Sequence, residues 1–123
     1  MSIEKDEKRV ARIFGIEDNN ELPDVTEDTL DIYYQYLNQD LVFPFEAAYS
    51  KETGPLENTY YDIVVTKVLD VDQSSDPEFY GLFCEAKEGR RKIIVPLAEV
   101  EVKGRGRNRQ LINDYNMWFW NYR

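Results

Sequence analysis

Apolar positions along the chain change period twice, and each change marks a change of element. From Ile3 to Phe14 the apolar residues Ile3, Val10, Ile13 and Phe14 fall near one helical face, with Ser2 placed to cap the start and Gly15 to stop the end. A polar, acidic stretch from Glu17 to Asp24 follows. Thr26 then stands as the N-cap of a second helix whose apolar side is Leu30, Tyr33, Tyr34 and Leu37. At Leu41 the period falls to two: Leu41, Phe43, Phe45, Ala47 and Tyr49 alternate as on one strand face, and Pro44, with no amide to donate, suggests an edge position.

The alternation continues through Tyr61, Ile63, Val65 and Leu69 in a second strand ending at Asp70, then in a third over Phe79–Ala86. Lys87-Glu88-Gly89 reads as a tight turn into a fourth strand over Arg91–Val95, and Val100 and Val102 alternate with Glu99 and Glu101 in a short fifth. The helical period returns in Leu111, Ile112, Tyr115, Trp118, Phe119 and Tyr122, which form one stripe suited to covering a sheet, with Trp120 off it. The expected fold is α+β: a small antiparallel β-meander curled into a partly open barrel, with two N-terminal helices and one C-terminal helix. At 123 residues with 42% hydrophobic content, the chain is expected to form a single domain over residues 1–123 with a true core.

Charge changes the picture. Met1 to Glu78 carries nineteen acids against six bases, whereas Gly81 to Arg123 carries five acids against nine bases. Oxygen donors this dense, in a chain with no histidine and one cysteine, suit a hard cation such as Ca²⁺ rather than a soft transition metal. The same charge opposes nucleic acid as a partner. Lys103 to Arg109 and Arg90-Arg91-Lys92 are basic, but no aromatic residue is interleaved with them, and they are better matched to the acidic half of the molecule or to an acidic protein. No apolar run approaches the ~20 residues of a membrane span. The lone Cys84 lies in an apolar strand and closes no intrachain disulfide, which points to a reduced, cytoplasmic setting. Without histidine there is no Ser-His-Asp or Cys-His arrangement, and no carboxylate pair stands out for acid–base work, so an enzyme is not expected.

Three acidic regions are candidates for the cation. The segment Asp70 to Glu78 sets Asp70, Asp72, Asp76 and Glu78 within nine residues on an inter-strand loop. Its likeness to an EF-hand loop fails at Ser75, where the turn glycine belongs, and at Gly81, where the bidentate glutamate belongs. The stretch from Glu17 to Asp31 holds seven acids and no base. Within it Glu27, Asp28 and Asp31 fall in the first turns of the second helix, Glu27 and Asp31 four apart on one face. Asp40 sits where that helix ends, beside carbonyls that lack intrahelical partners.

In order along the chain, Glu21-Leu22-Pro23-Asp24-Val25-Thr26-Glu27, Tyr33-Tyr34-Gln35-Tyr36-Leu37, Phe43-Pro44-Phe45-Glu46-Ala47, Phe79 to Ala86, Val95 to Val100 and Trp118-Phe119-Trp120-Asn121 resemble the cyanobacterial calcium-binding protein family CcbP, over roughly Leu22 to Tyr122. The resemblance implies a small acidic intracellular protein that binds Ca²⁺ through surface carboxylates without an EF-hand and acts in calcium buffering or signalling. It supplies no ligand list, so Asp40 and the Asp70–Glu78 loop are the expected ligands. The Glu17–Asp31 stretch is expected to concentrate cations or to form a weaker second site. An affinity of roughly 10⁻⁶ to 10⁻⁴ M and poor competition by Mg²⁺ are expected of such a site. The chain is expected to be monomeric. The competing reading is an acidic protein-interaction module that docks a basic partner and binds metal incidentally.

Overall fold

A computed structural model describes residues 3–16, 21–55 and 57–123. Ser2, Glu17 and Asp18, which figure in the expectations above, lie outside the described residues, as does the side chain of Ile3. Among the described residues, four helices, α1 (Ile3–Ile13), α2 (Glu27–Asp40), α3 (Pro77–Tyr80) and α4 (Arg107–Tyr122), accompany five strands, β1 (Phe45–Gly54), β2 (Glu57–Val68), β3 (Phe83–Glu88), β4 (Arg91–Pro96) and β5 (Val100–Val102).

The strands form one antiparallel sheet in the order β4-β3-β2-β1-β5. The first four make a meander. β5 does not extend it beside β4 but pairs with β1, Ala47 opposite Val102 and Tyr49 opposite Val100. In a flat sheet, β4 and β5 would stand four strand spacings apart, about 19 Å. The chain from Pro96 to Val100 reaches at most about 14 Å even when extended, and here it is coiled into a 3₁₀ turn over Leu97–Glu99. The sheet therefore curls until its two edges approach, which is the partly open barrel expected from the sequence.

One face of the curled sheet is apolar because the register aligns Ala47 with Ile63, Phe45 with Val65, Val65 with Ala86, and Cys84 with Val95; all of these are buried. Val65 and Val68 are both buried although three apart, a spacing that strict alternation forbids. An irregularity between Val65 and Lys67 resets the phase. The other face carries Asp62, Lys67, Lys87, Lys92 and Glu101 in exposed positions and is left to water.

Helices α2 and α4 cover the apolar face. The Thr26 hydroxyl accepts from Thr29 N–H at 3.1 Å while Thr29 Oγ1 accepts from Thr26 N–H at 2.8 Å, so α2 begins in a reciprocal cap. Leu30, Tyr33 and Leu37 are its buried side, and Leu111, Ile112, Tyr115, Trp118 and Phe119 are that of α4. Tyr33 stacks on Trp118 at 5.1 Å and meets Tyr115 edge-on at 5.2 Å, and Phe14, just beyond α1, closes on Trp118 at 5.2 Å. Ring pairs of this kind add about 0.5–1.5 kcal/mol each beyond area burial. Trp118 also donates its indole N–H to the Pro23 carbonyl at 2.9 Å, and Val25 N–H donates to the Tyr122 carbonyl at 2.9 Å, which ties the segment before α2 to α4.

Three local expectations are corrected. The first strand begins at Phe45 rather than Leu41, and β1 lies between β2 and β5, so Pro44 precedes an interior strand instead of marking an edge. The third strand begins at Phe83, because Pro77 at the first helical position and Gly81 at φ 76° enclose the helical turn α3. The Asp70–Glu78 segment is accordingly a 3₁₀ turn over Val71–Gln73 followed by α3, not an extended loop.

Candidate metal centre

Five carboxylates line one open cleft of about 340 Å³: Glu27, Asp28 and Asp31 on one wall, Asp70 and Asp72 on the other, with Tyr34 and Val71 completing it. Among the described residues, no cationic side chain lines the cleft. The first wall follows from the Thr26 cap. Starting α2 at Glu27 places Glu27 and Asp28 in the first turn, where the exposed amides favour anions, Asp31 one turn further along the same face and Tyr34 two. The Gln35 side-chain amide donates to Asp31 Oδ2 at 3.1 Å and steadies that carboxylate.

The second wall is fixed by the 3₁₀ turn. Asp70 Oδ1 accepts from Gln73 N–H at 2.9 Å, which orients the carboxylate and leaves its other oxygen available. Ser74, buried, donates its hydroxyl to the Asp70 carbonyl at 2.9 Å and accepts from Phe83 N–H at 3.0 Å, so the turn is sewn to β3. Leu69 N–H closes the base by donating to the Phe83 carbonyl at 2.8 Å.

The remaining sequence candidates lie elsewhere. Asp76 precedes α3 in the left-handed region at φ 42°, and Glu78 is in the first turn of α3; both are exposed and neither lines the cleft. Asp40 stands at the opposite end of α2 from Glu27, about 20 Å away along the axis, and accepts from the Arg107 guanidinium at 2.6 Å. The sequence places Tyr34 only on the apolar side of α2. Its spacing of three from Asp31 and seven from Glu27 is the signal that sets it beside them.

The donor set is all oxygen and all anionic, which fits a hard divalent ion. Among the described residues, no three acidic side chains converge closely enough to hold an ion as they stand. The two walls face each other across the cleft, so a bound ion requires side-chain rotation toward its centre. Cys84 offers no competing soft site, since it is fully buried and burial pushes its thiol up to about 12.

The fold and the cleft define an acidic α+β domain whose most concentrated chemistry is carboxylate oxygen. Residues 20–119 match the CcbP family, described as calcium binding; the chain belongs to this family, and calcium is its ligand. No curated protein and no solved structure matches the chain. Helix α1 lies outside the matched region.

Proposed function

We propose that the protein binds Ca²⁺ reversibly at the cleft between α2 and the Val71–Gln73 turn, and that it serves as an intracellular calcium buffer without catalysing a reaction. One observation carries this reading: segments some forty residues apart in sequence contribute five carboxylates to one cleft that, among the described residues, no cationic side chain lines. Like charges so placed repel one another, and a divalent ion between them reverses the sign of the interaction. Asp28, Asp31, Asp70 and Asp72 would hold the ion, Glu27 would reach it through its longer side chain, and water would complete the six to eight oxygens Ca²⁺ takes. Mg²⁺, which demands a tight octahedron and sheds water reluctantly, is poorly served by so open a cleft. Buffering is favoured over switching because both walls are already fixed, α2 by its buried side and the turn by Ser74 and Asp70. Ion binding then draws side chains together without moving an element.

Tyr34 provides the test. Tb³⁺ substitutes for Ca²⁺ and luminesces when a nearby tyrosine is excited. Tb³⁺ emission that saturates, is displaced by Ca²⁺ and falls sharply in Tyr34→Phe would support the site. Calorimetry with Ca²⁺ at about 0.15 M salt would then show binding lost in Asp72→Asn and Asp28→Asn and retained in Asp76→Asn and Glu78→Gln. Retention in the first pair and loss in the second would move the site to α3. Diffuse heat that fades with salt would replace calcium binding with the docking of a basic partner.

A further inference from the structure

We infer that the groove between α1 and the N-terminal half of α4 is a binding site for a small phosphate-bearing molecule, separate from the acidic cleft. The groove has two lobes that share Arg9, Gln110 and Asp114. The first, about 310 Å³, adds Arg12, Arg107 and Tyr36 over an apolar floor of Ile13 and Leu111. The second, about 360 Å³, adds Arg105 and Arg109 beside Gly106. Both lobes have the size of small-ligand sites.

Charge bookkeeping within the groove identifies the ligand. Asp114 and Asp6 are both engaged by Arg9, and Asp40 accepts from Arg107. Arg12 and Arg105 have no hydrogen-bond or ion-pair partner among the described residues, and Arg109 donates only to the uncharged Gly104 carbonyl, at 3.1 Å; because Arg9 serves two carboxylates, the five arginines around the groove exceed these three aspartates by two charges. In a chain of net charge −9, an excess of two positive charges among the described residues around one groove is a local reversal of sign. Guanidinium forks match phosphate oxygens in pairs, and a compact phosphate of charge −2 or more balances the excess. The groove also abuts the start of α4, whose N-cap Gly106 supplies no side-chain hydrogen bond to the first amides.

Size separates this ligand from a longer polyanion. An acidic peptide or a nucleic acid would extend beyond the two lobes and, within a Debye length of about 8 Å, meet the general negative field of the molecule. A compact ligand stays inside the reversed patch.

The test is titration of the whole chain with inorganic pyrophosphate in calcium-free buffer, at about 0.15 M salt, followed by calorimetry and by amide shifts in two-dimensional NMR. Saturable one-to-one binding is expected, with shifts concentrated in residues 9–13 and 105–113. Arg12→Ala and Arg105→Ala, which break no hydrogen bond or ion pair among the described residues, should each weaken it about tenfold or more, and Lys67→Ala, on the open face of the sheet, should leave it unchanged. Binding that does not saturate, or that falls equally in Lys67→Ala, would overturn the proposal. Tighter binding of polyglutamate than of pyrophosphate would replace it with an acidic-peptide site. Because calcium is absent throughout, the outcome is independent of the acidic cleft.

Discussion

The Tyr115 hydroxyl accepts a hydrogen bond from Leu82 N–H at 2.9 Å and occupies the space a β-carbon on Gly81 would need. Gly81 sits at φ 76°, and the added carbon would also press on Phe119 Cε1 at 2.9 Å. Gly81→Ala therefore combines backbone strain with a clash against two buried rings and is expected to cost about 3 kcal/mol or more. Tyr115→Phe removes the acceptor from a buried amide and should cost about 1–3 kcal/mol. Urea unfolding of both single variants and the double measures this. The double variant should regain only part of the loss, since Phe119 still obstructs the alanine.

Arg9 and Asp114 fasten α1. The Arg9 Nε and one terminal nitrogen donate to the two Asp114 oxygens at 2.8 and 2.9 Å, while the Asp114 side chain is only 7% exposed. Arg9→Ala leaves a carboxylate buried and unpaired. The cost is expected at about 2–3 kcal/mol, below that of a fully buried pair because the Arg9 side chain is 30% exposed. Limited proteolysis should cut the N-terminal segment of this variant first, and urea unfolding gives the loss of stability.

Cys84 should be inert in the native state and alkaline pH should expose its burial. Burial pushes the thiol up to about 12, against about 8.5 for a free thiol. The folded state keeps the proton that the unfolded chain loses between those values, so stability falls as pH rises through that window. At about pH 10 the loss is on the order of 2 kcal/mol, seen as a steeper alkaline decline in the wild-type chain than in Cys84→Ala. Thiol reagents should label Cys84 only at the rate of unfolding.

Calcium should raise the melting temperature in proportion to RT ln(1 + [Ca²⁺]/Kd), and Asp72→Asn should lose that increment. In calcium-free buffer, Asp72→Asn should equal or slightly exceed the wild-type stability, because it removes one repelling charge from the cleft, whereas in Asp28→Asn that gain is offset by the lost attraction to the first-turn amides of α2. A thermal scan with and without calcium separates the two effects.

Much of this architecture was readable from side-chain spacing. Thr26, Leu30, Tyr33 and Leu37 specify α2, where cap and period agree, and Leu111 to Phe119 specify α4 by their period alone. Phe79 and Tyr80 misled because two aromatic residues ahead of a β pattern look like its beginning. Pro77 and Gly81, which enclose α3, were the better guides. The position of β5 was out of reach, since alternation shows that Val100 and Val102 share a face but not which strand lies beside them. In the same way the acids of α2 and those of the Asp70 turn were each visible as clusters. Their meeting across one cleft depends on where β1 and β2 carry the chain, which no local pattern encodes. Asp40 looked equivalent to them until its distance along α2 and its Arg107 partner were known.

The three-residue link from Pro96 to Val100 has a consequence for how this chain tolerates change. The β3–β4 hairpin can grow at its solvent-facing tip around Gly89, because lengthening a loop there costs only a slow logarithmic entropy. The Leu97–Glu99 link has no such freedom. It works as a drawstring: its shortness holds the sheet margins close together, and slack introduced there would let the curl relax and expose the apolar lining. Insertions should therefore be accepted at the hairpin tip and rejected at this seam, where Leu97 is also buried in the core, although both are short connections between strands neighbouring in sequence.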